Sequence, residues 1–228
     1  ILSEVNLKKQ DYLKIFFPEL NKKTTLKNQQ IEINYNKDAL SIKGLGKIKF
    51  SNEFEDIDFN VSKIQDKYKF ETKIDLEKTL LDINFFNFKK DNKLKTQIKI
   101  LGSYNEKDAF DFNNISIIDK NNKIILSNIL IDQNYQIEKI DKMNFDFFDK
   151  QNKKNKVSLL RKEKNKYLIK GLSFNVDKIV EHLLKSKENE KSQIFKNDFN
   201  FTMDLKKVYL DDENIINNLN GNLSIKDN

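Results

Sequence analysis

The chain contains no cysteine and no tryptophan, one proline, five glycines, one histidine (His182) and one arginine (Arg161) in 228 residues. Without cysteine there are no disulfides, thiolate metal sites or cysteine nucleophiles, and the redox compartment stays open. A single histidine has no second imidazole with which to share a metal or complete a proton relay, so His182 reads as a helix-flank residue. No run of about 20 apolar residues exists to span a bilayer as a helix, and no charged segment followed by an apolar one opens the chain as a leader would. Phosphate-binding glycine loops and nucleophile elbows are missing as well.

Hydrophobic residues make up 38% and charged residues 34%, against about 45 to 50% and about 25% in average soluble domains. That balance alone would suit a disordered chain, but 18 Phe and 7 Tyr among many Ile and Leu give it enough surface to bury. No stretch rich in Pro, Gly or Ser divides it, so residues 1–228 read as one continuous unit. Patterning continues up to its last residues, as in a piece of a longer polypeptide.

Alternation of apolar and polar residues dominates. Tyr68, Phe70, Thr72, Ile74 and Leu76 share one face and Lys69, Glu71, Lys73 and Asp75 the other, the period of a half-buried strand. The pattern returns at Ile31 to Tyr35, Leu40 to Phe50, Ile57 to Val61, Leu81 to Phe85 and Leu94 to Ile100. Later examples are Phe110 with Phe112, Ile115 with Ile117, Ile129 with Ile131, Met143 to Phe147, Val157 with Leu159, Leu172 to Val176, Phe199 to Leu205 and Leu219 to Ile225. Between them stand Asn- and Asp-rich clusters that tolerate left-handed backbone and make turns, so successive strands are expected to pair as an antiparallel meander. Gly44 and Gly46 suggest a bulge or a sharp bend. Two segments leave the two-residue period: 176–188, where Val176, Ile179, Val180, Leu183 and Leu184 fall on one helical stripe, and 11–17, ended by Pro18.

A dozen half-apolar strands present a greasy face that two helices cannot cover, far above what soluble monomers expose. Three arrangements would cover it: two halves stacked as a sandwich, closure into a barrel, or a curved sheet whose groove holds an apolar ligand. The carboxylates at Glu53, Glu55, Asp56 and Asp58 and at Asp211, Asp212 and Glu213 lack calcium-loop spacing, so no catalytic, metal or cofactor site is expected. A net charge of +7 invites nucleic acid, but the lysines alternate with acids and Arg161 stands alone, so a solvated sheet face is the expected reading.

Several stretches resemble the AsmA-like superfamily of bacterial envelope proteins, in particular its YhdP-type members. Asp11-Tyr-Leu-Lys-Ile-Phe-Phe-Pro18 is similar to the short helix ending at proline before their strand array. Ile117-Ile-Asp119 with Ile129-Leu-Ile131 resembles their paired strands. Tyr167 through Val180 resembles their step from strand to short helix, and Asn218-Leu-Asn-Gly-Asn-Leu-Ser-Ile225 their closing strand repeat. The resemblance implies a mainly β fold: a long antiparallel meander curved and twisted into an AsmA/TamB-like groove, with one or two short helices. It implies a periplasmic segment of an inner-membrane-anchored cell-envelope protein, not an enzyme, that carries phospholipid acyl chains between inner and outer membrane. The expected groove lining is Phe70, Ile74, Ile83, Phe85, Ile98, Ile100, Phe112, Phe145, Phe147, Phe199, Phe201 and Met203. A structural or adhesive sandwich or solenoid without lipid is the competing expectation.

Overall fold

The computed structural model describes residues 2–7, 24–50, 52–90, 94–105, 110–133, 137–185 and 198–225. In chain order the strands are β1 Leu2–Leu7, β2 Thr24–Asn36, β3 Ala39–Lys49, β4 Phe54–Ile64, β5 Lys67–Leu76, β6 Asp82–Ile83, β7 Phe88–Lys89, β8 Thr96–Asn105 and β9 Phe110–Ile118. They continue with β10 Lys123–Ile131, β11 Ile137–Phe148, β12 Lys154–Glu163 and β13 Lys166–Asn175; helix α1, Asp177–Lys185, then leads to β14 Phe199–Tyr209 and β15 Ile215–Ile225. Thirteen strands form one sheet in sequence order, from which β6 and β7 step out to pair with each other while β5 pairs directly with β8. The fold is mainly β, and the large sheet does not close: β1 and β15 stand at its two edges.

Every neighbouring pair in the large sheet is antiparallel except β13 and β14, which run parallel. The strict meander expected from the sequence is therefore broken once. A parallel pair needs a crossover from one end of the sheet to the other, and α1 lies on that crossover. The helix expected over 176–188 is described over Asp177–Lys185 and includes His182, while the one expected over 11–17 lies outside the described residues. At the start of α1 the Asn175 Oδ1 accepts the Asp177 N–H at 3.1 Å.

Asparagine and aspartate take over the work of glycine. Gln65, Asn152 and Asn165 turn with positive φ, and Asp119, Asp149 and Asp211 each accept two backbone N–H groups of the turns that follow them. Left-handed Asn28, Asn128 and Asn218 lie inside strands, at cost a glycine would avoid but tolerable for this side chain. The bulge expected at Gly44 and Gly46 is instead on the facing strand: β3 pairs with β4 without a slip, and β2 slips between Lys27 and Gln30, around Asn28. Gly44 serves close approach, since a Cβ there would stand 2.2 Å from the Phe59 ring.

Two sequence-derived strand faces need correction. Leu81, Ile83 and Phe85 do not form one strand: β6 ends at Ile83 and a 3-10 turn, Asn84–Phe86, follows. Leu172 and Phe174 do not share a face, as Leu172 is 50% exposed and Phe174 is buried. The pairing of β12 with β13 slips between Lys156 and Val157, which moves the later residues of β13 to the other side.

The described residues 77–90 form a plug on one face of the sheet. Phe86 meets Phe145 edge-on at 4.7 Å between ring centroids, and Phe88 meets Phe147 at 5.4 Å. Glu55, itself buried, holds the start of the plug by accepting the backbone N–H groups of Glu77, Lys78 and Thr79. Lys150 donates from its backbone to the Asn87 carbonyl and from Nζ to Asn84. Beside this, Asp149 accepts the side-chain amides of Asn155 and Asn175. The plug, the β11–β12 turn and the start of α1 are thus one hydrogen-bonded unit at one end of the strands.

Candidate functional site: a half-open track on the inner face

Cross-strand register sorts the inner face into rows perpendicular to the strands. One row runs Ile57, Ile74, Ile98, Ile117, Ile124, Phe145, Val157, each opposite the next. All seven are buried, and they belong to the same apolar cluster as Leu81, Ile83 and Phe88 of the plug. This row is covered by the chain itself.

One step along the strands, away from the plug, lies a second row: Phe59, Thr72, Ile100, Ile115, Leu126, Met143, Leu159, Ile169 and Met203. Every member is only half-buried. It crosses β4 through β14, and at about 4.8 Å per strand it extends about 38 Å. Apart from Thr72 it is apolar from end to end.

Beyond it, on β5, β8 and β9, sits a group of half-buried rings. Phe70 and Phe112 meet edge-on at 5.9 Å across Gly102, whose added Cβ would stand 2.7 Å from the Phe70 ring. Phe112 stacks on Phe110 at 6.0 Å, and Tyr104 lies 4.8 Å from Phe110. The glycine lets two rings from strands on either side of it close over the gap, a known device for curving a sheet. Towards β2 the same face ends in Ile33 and Tyr35, which are 63% and 77% exposed. A second cluster, with Ile129, Ile140, Tyr167, Phe199 and Phe201 buried, closes the β10–β14 side.

The expected lining residues divide accordingly. Phe70, Ile100, Phe112 and Met203 belong to the half-open track and its aromatic border. Ile74, Ile98, Phe145 and Phe147 are buried beneath the plug, Phe147 completely, and Phe199 and Phe201 are buried in the second cluster. Ile83 and Phe85 come from the plug rather than the sheet, Ile83 buried and Phe85 half-buried. Phe59, Ile115, Leu126, Met143, Leu159 and Ile169 are track residues outside the expected lining. Their alternation was visible, but it cannot tell which row along a strand lies under the plug.

The outer face carries charge in cross-strand pairs, such as Lys99 with Glu71 at 2.7 Å, Lys47 with Asp56 at 2.5 Å, Lys170 with Asp204 at 3.3 Å and Lys154 with Asp146. The Lys154 ammonium holds the Asp146 carboxyl below the usual carboxylate value. For Asp75 burial pushes upward, but hydrogen bonds from Gln97 and Lys95 prevail and its value is lowered too. A carboxyl whose folded value is depressed contributes stability above its unfolded value of about 3.8, and that contribution is lost as pH falls through the folded value. Thermal unfolding followed by circular dichroism is therefore expected to keep a flat midpoint from about pH 5 to 7 and to fall below about pH 4. A midpoint that rises on acidification would contradict this.

Among the described residues no group of three or more His, Asp or Glu is placed to hold a metal, and no helix is long and apolar enough to cross a membrane. No family model, curated protein or solved structure matches the chain.

Proposed function

We propose that this chain is a segment of a bridge-like phospholipid transport protein, with acyl chains lying along the half-open row from Phe59 to Met203. The observation that carries the reading is the row itself: apolar but for Thr72, only partly buried, on a sheet that does not close. Hydrocarbon placed on it would gain about 0.8 kcal/mol for each methylene removed from water, while headgroups remain at the wet rim. The sequence resemblance to AsmA-like envelope proteins points the same way and suggests a periplasmic segment of an inner-membrane-anchored parent, bridging inner and outer membrane. No bond is made or broken in this reading, and no nucleic acid is involved.

Native mass spectrometry of gently purified protein is expected to show mass additions matching phospholipid. Met143→Asp and Leu159→Asp, which alter half-exposed positions, should remove those additions while the β-rich circular dichroism spectrum is kept. A clean apoprotein mass from cells and after incubation with phospholipid vesicles would overturn the proposal in favour of a structural or adhesive domain.

A further inference from the structure

The chain's single arginine stands beside the track. Arg161 lies two residues beyond Leu159 on β12 and pairs in register with Tyr167, which in turn pairs with Phe201. Tyr167 and Phe201 are buried members of the second apolar cluster, and Leu159 packs against it. The register thus sets Arg161 opposite a buried member of that cluster, with the charged Asp141 and Lys139 of β11 beside it. Its side chain is 28% exposed and makes an ion pair at 3.3 Å with Asp141, a long contact for a charge-assisted bond. Lys139 Nζ reaches the other oxygen of the same carboxylate at 3.1 Å. Two cations share the Asp141 carboxylate, and Arg161 Nε is enclosed without an acceptor. A planar fork held by one long ion pair, next to hydrocarbon and with its side chain 28% exposed, suits a phosphate oxygen pair.

We propose that Arg161, assisted by Lys139, is a seat for a phosphate ester, specifically the phosphodiester of a phospholipid whose acyl chains lie on the track. The ring group at Phe112 is three strands from β12, about 14 Å, so one lipid molecule can reach both. This inference rests on the lipid-track reading, and its test separates the two. Native mass spectrometry would compare phosphatidylglycerol and diacylglycerol of identical chains on the 228-residue protein, with inorganic phosphate as a competitor. Wild type is expected to prefer phosphatidylglycerol by about tenfold, the size of one charge-assisted bond. Arg161→Gln should bring phosphatidylglycerol down to the diacylglycerol level and leave diacylglycerol unchanged. Arg161→Lys, which keeps the charge but loses the fork, should fall between them and decides the matter if the glutamine variant does not fold. Equal loading of both lipids by wild type, or an unchanged preference in the variants, would overturn the headgroup seat and leave the track standing. Binding of neither lipid would remove the track and the seat together. Phosphate competing as well as phosphatidylglycerol would mark a free-ion site and overturn the lipid assignment.

Discussion

Phe147→Ala is expected to destabilise the fold by about 3 to 5 kcal/mol, the range for a large aromatic deleted from a closed core. Phe147 is fully enclosed, with Phe88 of the plug standing edge-on against it at 5.4 Å and Phe145 at 5.8 Å. Removing the ring leaves a cavity that the plug cannot fill, because Phe88 is itself completely buried and tied into the β6–β7 pair. On the same strand Met143→Ala should cost only about 1 to 2 kcal/mol, since that side chain is only partly buried. Urea titration of both variants measures the difference. Equal costs would mean that the row containing Met143 is as enclosed as the plug's own cluster, and the open track would no longer exist. Phe147→Asp should prevent folding altogether, so loss of lipid in that variant would say nothing about a lipid site.

Glu55→Ala should cost about 3 kcal/mol or more, because three backbone N–H groups lose one buried acceptor together and each orphaned donor costs about 1 to 3 kcal/mol. Glu55 accepts from Glu77 and Lys78 at 2.8 Å each and from Thr79 at 2.5 Å. The loss is expected to be local before it is global. In hydrogen exchange the amides of Glu77, Lys78 and Thr79 should lose protection while those in the middle of β10 and β11 keep it, in line with the separate opening of weakly held segments. Glu55→Gln keeps one acceptor oxygen and should fall between the two. If the three amides remain protected in the alanine variant, the carboxylate is not what anchors the plug.

These two residues also mark the limits of what alternation reveals. Most strands of the sheet were legible because each is a run of period two bounded by Asn, Asp or Lys, and a half-buried strand has few other ways to look. Leu81, Ile83 and Phe85 keep the same period, yet they build the plug. What separates them from a sheet strand is Glu55, more than twenty residues away, and Phe147 on a strand further on. Phe112 and Ile115 both belong to the inner side although an odd number of steps separates them; the register of β8 with β9 slips at Leu101 and Gly102, and no local residue announces it. The parallel entry of β14 was hidden for a related reason: a helix between two strands is compatible with either direction until the crossover is placed. Most of the expected lining did reach the inner face of the sheet. Which of those positions the chain covers and which it leaves half-open depends on the plug, a tertiary fact.

Asn218 gives the outermost strand β15 a left-handed step in mid-course, between Asn217, which faces Lys207, and Leu219, which faces Leu205. Among the described residues β15 pairs with β14 alone, and its register runs through Asn218 without a slip. A left-handed residue in mid-strand makes the rim a less regular template, which discourages indiscriminate stacking of copies.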